Sequence, residues 1–322
     1  MGRLVFVLGI SIGSVFAGYL LKRLARGSLH VIATRAGDIS RTLKFASIFV
    51  LNPIPIINSF WQLQLESGRL VLFPLLGLLS LATGGTAAVV VNRVFGIPPK
   101  RAASVFVASM FTNIVTFGGL TAFVFFGHDG YVFVQLFNMF VSLAYYAIGF
   151  PISEQLAMED RKGFAISPRV ILDRPYLLAP ITAIAIGVAL NLLGIERPVL
   201  IERVSSVLIP VITGLLGLSI GLTLYFGRIA DYAREITLIS VIKFLVVPGV
   251  MIPLGLLLGF QDLAGGIAFK VLVIVSVMPV AFNALVPPAM YGFDLDLANS
   301  AWIVTTLALP VILPILYVLL VV

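Results

Sequence analysis

Thr112-Asn113-Ile114-Val115-Thr116-Phe117-Gly118-Gly119 lies in the middle of one apolar run, and Pro279-Val280-Ala281-Phe282-Asn283, followed by Pro287-Pro288, lies in the middle of another. Both runs are long enough for a membrane helix, yet neither can stay regular through its centre. Proline has no backbone N–H and clashes with the preceding turn, and each glycine lowers helix propensity by about 1 kcal/mol. Irregular backbone is tolerated at that depth only where it is buried in protein or lines a wet cavity. Two interrupted helices in corresponding halves of a chain mark the midplane site of a transporter. The half-helix N-termini created there carry unpaired N–H groups and a positive dipole end, which suits an anion such as a carboxylate. The competing reading is a pair of structural kinks.

Composition supports the membrane setting. Of 322 residues, 60% are hydrophobic and only 11% charged, against about 45–50% and 25% in soluble domains. So few charges cannot coat a soluble protein of this size. A span needs about 20 residues, and apolar runs between punctuation give ten: 4–21, 45–61, 70–92, 102–127, 131–150, 176–194, 204–226, 236–259, 266–292 and 297–321. The first run is followed, not preceded, by its charges (Lys22, Arg23), so a retained helix is expected rather than a signal peptide. There is no cysteine, which removes disulfides, thiol nucleophiles and cysteine metal sites. The net charge of +7 is read through its placement in loops, not as affinity for nucleic acid.

Placement gives an orientation. Of 21 Lys and Arg, five (Arg3, Arg69, Arg197, Arg203 and Lys270) fall on one side and Lys243 lies within a span, leaving fifteen on the other. The positive-inside rule then makes the basic side cytoplasmic and both termini extracytoplasmic, in a multi-pass plasma-membrane protein. The loop 151–175 reads as a cytoplasmic linker between two five-span halves, 1–150 and 176–322. Five is odd, so the second half enters the membrane inverted. Phe126-Gly127-His128-Asp129 and Tyr291-Gly292-Phe293-Asp294 lie 165 residues apart, and Pro53 and Pro210 lie 157 apart. This echo favours an inverted repeat.

The breaks supply the candidate binding residues: Thr112, Asn113, Thr116, Gly118 and Gly119 in one, and Pro279, Val280, Ala281, Asn283 and Pro287 in the other, with Gly118, Gly119, Pro279, Pro287 and Pro288 expected to keep the breaks open. The Asn113 and Asn283 amides can donate to a carboxylate or accept from an N–H, or bond a neighbouring backbone. Asn52 and Asn58 line the same cavity or cap a helix interrupted by Pro53 and Pro55. Lys243 is the ionisable group within a span and a candidate for coupling. It lies eight residues from Glu235, so snorkelling toward the cytoplasm is the favoured reading. Asp129 and Asp294 precede helices and read as N-caps. Gly9-Ile10-Ser11-Ile12-Gly13 and Gly217-Leu218-Ser219-Ile220-Gly221 match a nucleophile elbow. They lie within apolar helices, however, and the chain's two histidines, His30 and His128, fall in loops. Both motifs therefore read as close helix packing. There is no phosphate loop and no zinc pair. Neither enzymatic activity, ATP hydrolysis, a resident metal nor a cofactor is expected.

Ser276-Val277-Met278-Pro279-Val280-Ala281, then Tyr291-Gly292-Phe293-Asp294 and Thr305-Thr306 with Pro310, resemble the closing segment of the auxin efflux carrier family. That family includes plant auxin exporters and bacterial malonate-type permeases. Ile209-Pro210 with 217–221 resembles its seventh helix, Lys243 with Pro248 its eighth, and Asn113 with Gly118 its first crossover. The first crossover of the family often continues to a proline where this chain has Leu120, and the large cytoplasmic loop of many plant members is replaced by the short linker. The resemblance implies an all-α membrane protein of ten helices in two inverted five-helix repeats, with broken helices 4 and 9 crossing. That architecture is bile-acid-symporter-like or NhaA-like. It further implies a scaffold of helices 1, 2, 6 and 7, a moving transport domain of helices 3–5 and 8–10, and a homodimer as one assembly.

The expectation is a secondary carrier of a small organic anion, by alternating access, coupled to proton or sodium or to neither. Its expected partners are that anion and membrane lipids. Open alternatives are a sodium-coupled symporter of the bile-acid type, a membrane sensor that binds without transport, a channel and, last, an intramembrane enzyme.

Overall fold

The computed structural model describes residues 2–24, 35–63, 68–158, 175–225 and 229–322. Among them every regular element is helical, and the strand-like contact present is an isolated bridge between Thr112 and Val280. In chain order the helices are α1 (Gly2–Leu24), α2 (Ala36–Trp61) and α3 (Gly68–Val94), α4 (Pro99–Met110), α5 (Ile114–Ala157), α6 (Pro175–Leu192), α7 (Val199–Thr223), α8 (Ile229–Leu257), α9 (Ile267–Ser276), α10 (Val286–Tyr291), α11 (Leu295–Leu307) and α12 (Leu309–Leu320).

Six of these, α1, α2, α3, α5, α7 and α8, are long and apolar enough to cross a membrane. The pair α11–α12, bent by 41°, makes a seventh if taken as one span. The difference from the ten spans read from sequence has physical causes. The interrupted runs are divided into pieces such as α4 and α9, of 12 and 10 residues, too short to cross alone. Conversely α5, at 44 residues, is about twice the length one crossing needs. It turns at Gly127, whose φ of 69° and ψ of −152° are not helical.

Two sets of helices pack among themselves. In the first, α7 packs along α1 and the first half of α2, and α6 packs on the second half of α2. The α1–α7 crossing depends on absent side chains. A Cβ on Gly221 would lie 2.0 Å from the Val15 carbonyl oxygen, and one on Gly18 would lie 2.2 Å from that of Leu218. The close-packing reading of 217–221 is thus realised against Gly18 and Ser14. Gly9 and Gly13 meet nothing within 4 Å, so the first motif packs on α7 through Ile10 and the buried Ser11 and not through its glycines. Because the obstacle at Gly221 is backbone, Gly221→Ala must push the helices apart. A loss of about 1–3 kcal/mol is expected, measured as a lower melting temperature in detergent.

The second set contains α3, α4, α5, α8, α9 and α11. Here α3 packs on α4, α4 on α11 and on the end of α5, and α9 on α8 and on the start of α5. Arg101 of α4 ties two neighbours with ion pairs to Glu235 (3.3 Å) and Asp294 (3.4 Å). Asp294 also caps α11, accepting from Leu297 N–H at 3.0 Å, as expected of it. Asp129 lies at the start of the helical segment that resumes after the kink at Gly127, and it lines a cavity there.

Candidate functional site

The two interruptions meet. After Met110 the chain turns extended at Phe111 (φ −89°, ψ 121°), and Ser276 is likewise followed by a non-helical stretch up to Phe282. Asn113 N–H donates to the Pro279 carbonyl at 2.9 Å, and Ala281 N–H donates to the Phe111 carbonyl at 2.9 Å. Around the Thr112–Val280 bridge these bonds form a minimal antiparallel ladder inside an apolar bundle. Each broken helix thereby satisfies part of the other's exposed backbone, which the low dielectric makes obligatory. Pro279 supplies a carbonyl and has no N–H to leave orphaned.

Two side chains complete the ladder, and sequence reasoning missed both. The Tyr145 hydroxyl accepts from Thr112 N–H at 3.0 Å and donates to the Thr112 carbonyl at 3.0 Å, with its ring stacked on Phe111, centroids 4.0 Å apart. Thr305 Oγ1 accepts from Val280 N–H at 3.3 Å and donates to the Ala301 carbonyl at 2.8 Å. Thr112 and Val280 thus each lean on a polar residue from a later helix of their own half. The separations of Thr112 from Val280 and of Tyr145 from Thr305, 168 and 160 residues, lie within three residues of the 165 and 157 of the echo seen in sequence. That echo was the signal that could have paired them.

Lys243 lies beside the ladder. Its side chain is 1% exposed, and Nζ donates to Thr112 Oγ1 at 2.6 Å. The snorkelling reading is therefore corrected: the ammonium turns inward, where the interruption provides a hydroxyl acceptor that an intact apolar helix would lack. No carboxylate pairs with it among the described residues.

Asn113 begins α5. Its Oδ1 accepts from Phe117 N–H at 3.4 Å, its carbonyl accepts from Gly118 N–H at 3.2 Å, and Ile114 N–H turns back to the Thr112 carbonyl at 2.9 Å. The N–H groups of Val115 and Thr116 make no backbone bond outside the helix among the described residues, as expected of a first turn. Both residues line a small cavity of about 30 Å³, walled on the far side by Ser47, Ile48 and Asn52 of α2 and by Ile209, Ile212, Thr213 and Leu216 of α7. Ser47 Oγ and Asn52 Oδ1 are buried without a partner among the described residues. Thr213 spans the gap, donating to the Thr116 carbonyl at 3.3 Å. Helix-start N–H groups, a hydroxyl and an amide can hold a small polar group. A space of this size fits a water or two.

The other expected residues are distributed differently. Gly118 and Gly119 do not open the break. They lie one turn inside α5, where Gly118 admits Met278 and Gly119 admits Tyr131; a Cβ on either glycine would come within 3.2 Å and 3.1 Å of those side chains, respectively. Pro287 and Pro288 lie within the short α10, with proline in its first turn, where a missing N–H costs nothing. Asn283 is half-buried in the 3₁₀ turn Phe282–Leu285 and does not line the small cavity. Its neighbour Phe282 lies under the Lys44 ammonium, 3.9 Å from the ring centroid. Asn58 is apart from Asn52: it accepts from Arg197 Nη1 at 2.9 Å and faces His128 Nδ1 at 3.4 Å. Asn52 and Asn58 therefore do not share one cavity. Among the described residues no group of histidine, aspartate and glutamate could hold a metal ion.

No protein-family model matches the chain. Along almost its whole length it is similar to a protein named an uncharacterized transporter from Methanothermobacter thermautotrophicus, 26% identical over 315 residues, which cover 98% of this chain and 97% of that one.

Proposed function

We propose that the chain is a membrane transporter, and more specifically a secondary carrier that moves a small organic anion, a carboxylate, by alternating access. One observation carries the reading. Two interrupted helices meet in a backbone ladder inside an apolar bundle, and the first turn beyond it borders a small, mostly apolar cavity between two sets of helices into which Ser47, Asn52, Thr116 and Thr213 bring polar groups. A purely structural kink needs neither the cavity nor the orphaned Ser47 and Asn52 atoms on its far wall. The full-length similarity to a protein named a transporter points the same way, and so does the likeness of 276–294 to the auxin efflux carrier family.

In this reading α1, α2, α6 and α7 form a scaffold, and the set tied by Arg101 moves as the transport domain within ten spans arranged as two inverted repeats. The anion lies at the Val115–Thr116 turn, and Asn52, Ser47 and Thr213 recognise it from the scaffold. Movement of one set against the other exposes the cavity to each side in turn. Lys243 favours a proton over sodium as the coupling ion, because a buried amine on the Thr112 hydroxyl can gain and lose a proton as the crossover shifts.

Flux of a panel of labelled small carboxylates into proteoliposomes tests this. Saturable flux is expected, with Asn52→Ala or Asn113→Ala reducing uptake at limiting substrate by roughly tenfold, the scale of one lost buried hydrogen bond. Absence of saturable flux across the panel, or flux unchanged in both variants, would overturn it.

A further inference from the structure

A continuous chain of hydrogen bonds joins the two sets of helices near the turn at Gly127. Arg197 Nη1 donates to Asn58 Oδ1 (2.9 Å), Asn58 Nδ2 faces His128 Nδ1 (3.4 Å), His128 Nε2 faces Ser206 Oγ (2.8 Å), and Ser206 Oγ donates to the Glu202 carbonyl (3.0 Å). His128 belongs to α5, whereas Asn58 lies on α2, Ser206 on α7, and Arg197 between α6 and α7. The chain has a fixed direction. A guanidinium only donates, so Asn58 presents its oxygen to Arg197 and its NH₂ to the histidine. Nδ1 of His128 must then accept, which leaves Nε2 to carry the proton and donate to Ser206. One state of the imidazole, neutral with hydrogen on Nε2, satisfies every link. A proton on Nδ1 would meet the Asn58 NH₂ donor-to-donor. Rotating that amide would turn its NH₂ onto Arg197, another donor.

We propose that this relay is a proton-operated latch: protonation of His128 at Nδ1 breaks the link to Asn58 and releases α5 from α2 and α7 on that side. The charged groups around the ring are Arg197, Glu202 and Asp129, with Phe123 edge-on at 5.2 Å. Arg197 is itself held by Glu202 at 2.9 Å. Turning the guanidinium away to relieve the clash would give up that ion pair as well. The latch borders an outer cavity of about 470 Å³ lined by Asp129 and Arg197 among others. Ile209, one turn beyond Ser206 on α7, reaches the inner cavity. The inference rests on the two-set reading given above, in that release is taken to open a path between those sets. Its test reads access, not flux.

The chain has no cysteine, so one introduced thiol reports alone. Ile209→Cys, in the purified full chain in nanodiscs, is labelled with a membrane-impermeant maleimide at pH values from about 8 to about 5. Rates are divided by those of the exposed Val322→Cys variant, which removes the thiol's own titration. The normalised rate is expected to rise roughly tenfold on acidification, the size of a minor open state becoming populated. The rise should vanish in Ile209→Cys/His128→Gln. A normalised rate flat with pH, or a rise that persists with His128→Gln, would overturn the latch. If that double variant fails to fold, Ile209→Cys/Asn58→Asp provides the second reading. A carboxylate there accepts from protonated His128, so the pH response should shrink, and an undiminished response would count equally against the proposal.

Discussion

Tyr145→Phe is expected to lower stability by about 2–4 kcal/mol and to stop transport. The substitution removes one oxygen and keeps the ring that stacks on Phe111. That oxygen serves both the N–H and the carbonyl of Thr112, each buried at the crossover, and an orphaned buried polar group costs about 1–3 kcal/mol. The damage should be local, because Thr112 is the residue that pairs with Val280 and also receives the Lys243 ammonium. Thermal unfolding of the purified variant measures the first effect and proteoliposome flux the second. A variant with wild-type melting temperature and flux would show that the ladder stands without the tyrosine.

Lys243→Met should have the opposite effect on stability. An ammonium 1% exposed with no carboxylate partner among the described residues is expensive to keep. Replacing a buried unpaired amine with an apolar side chain of similar volume removes the cost of its desolvation. The melting temperature should hold or rise. Transport driven by a pH gradient should fall at least roughly tenfold, the size expected when an intramembrane charge serves function and not folding. A lower melting temperature with gradient-driven flux retained would make Lys243 a structural residue.

Much of this is legible in the residues. Apolar runs interrupted at 112–119 and 279–288 announce two interrupted helices, because proline and paired glycines weaken a helix; the non-helical residues themselves are 111–113 and 277–281. Thr112, Asn113, Pro279, Val280 and Ala281 do come together, with Lys243 beside them. What sequence cannot supply is which neighbour answers each freed backbone group. Tyr145 and Thr305 are ordinary residues for a membrane helix, and their role exists only once the breaks have crossed. The direction of Lys243 departs from its sequence reading for a related reason. Distance along one helix measures the route to water, but says nothing of an acceptor arriving from a different helix. Gly118 and Gly119 read as breakers, yet they act by admitting Met278 and Tyr131. The grouping of Asn52 with Asn58 fails because six positions along a helix leave two side chains about a third of a turn apart.

The central claim is that the first turn of α5, with N–H groups freed by the interruption, holds an anion against α2 and α7. The most direct measurement is an experimental structure of the protein soaked with a brominated short-chain carboxylate, located by the anomalous signal of bromine. The account predicts a carboxylate within hydrogen-bonding distance of the Val115 and Thr116 N–H groups, beside Asn52, and its loss in Thr116→Trp. Helices running unbroken through 110–119 and 276–286, or a carboxylate held elsewhere with this turn empty, would contradict it.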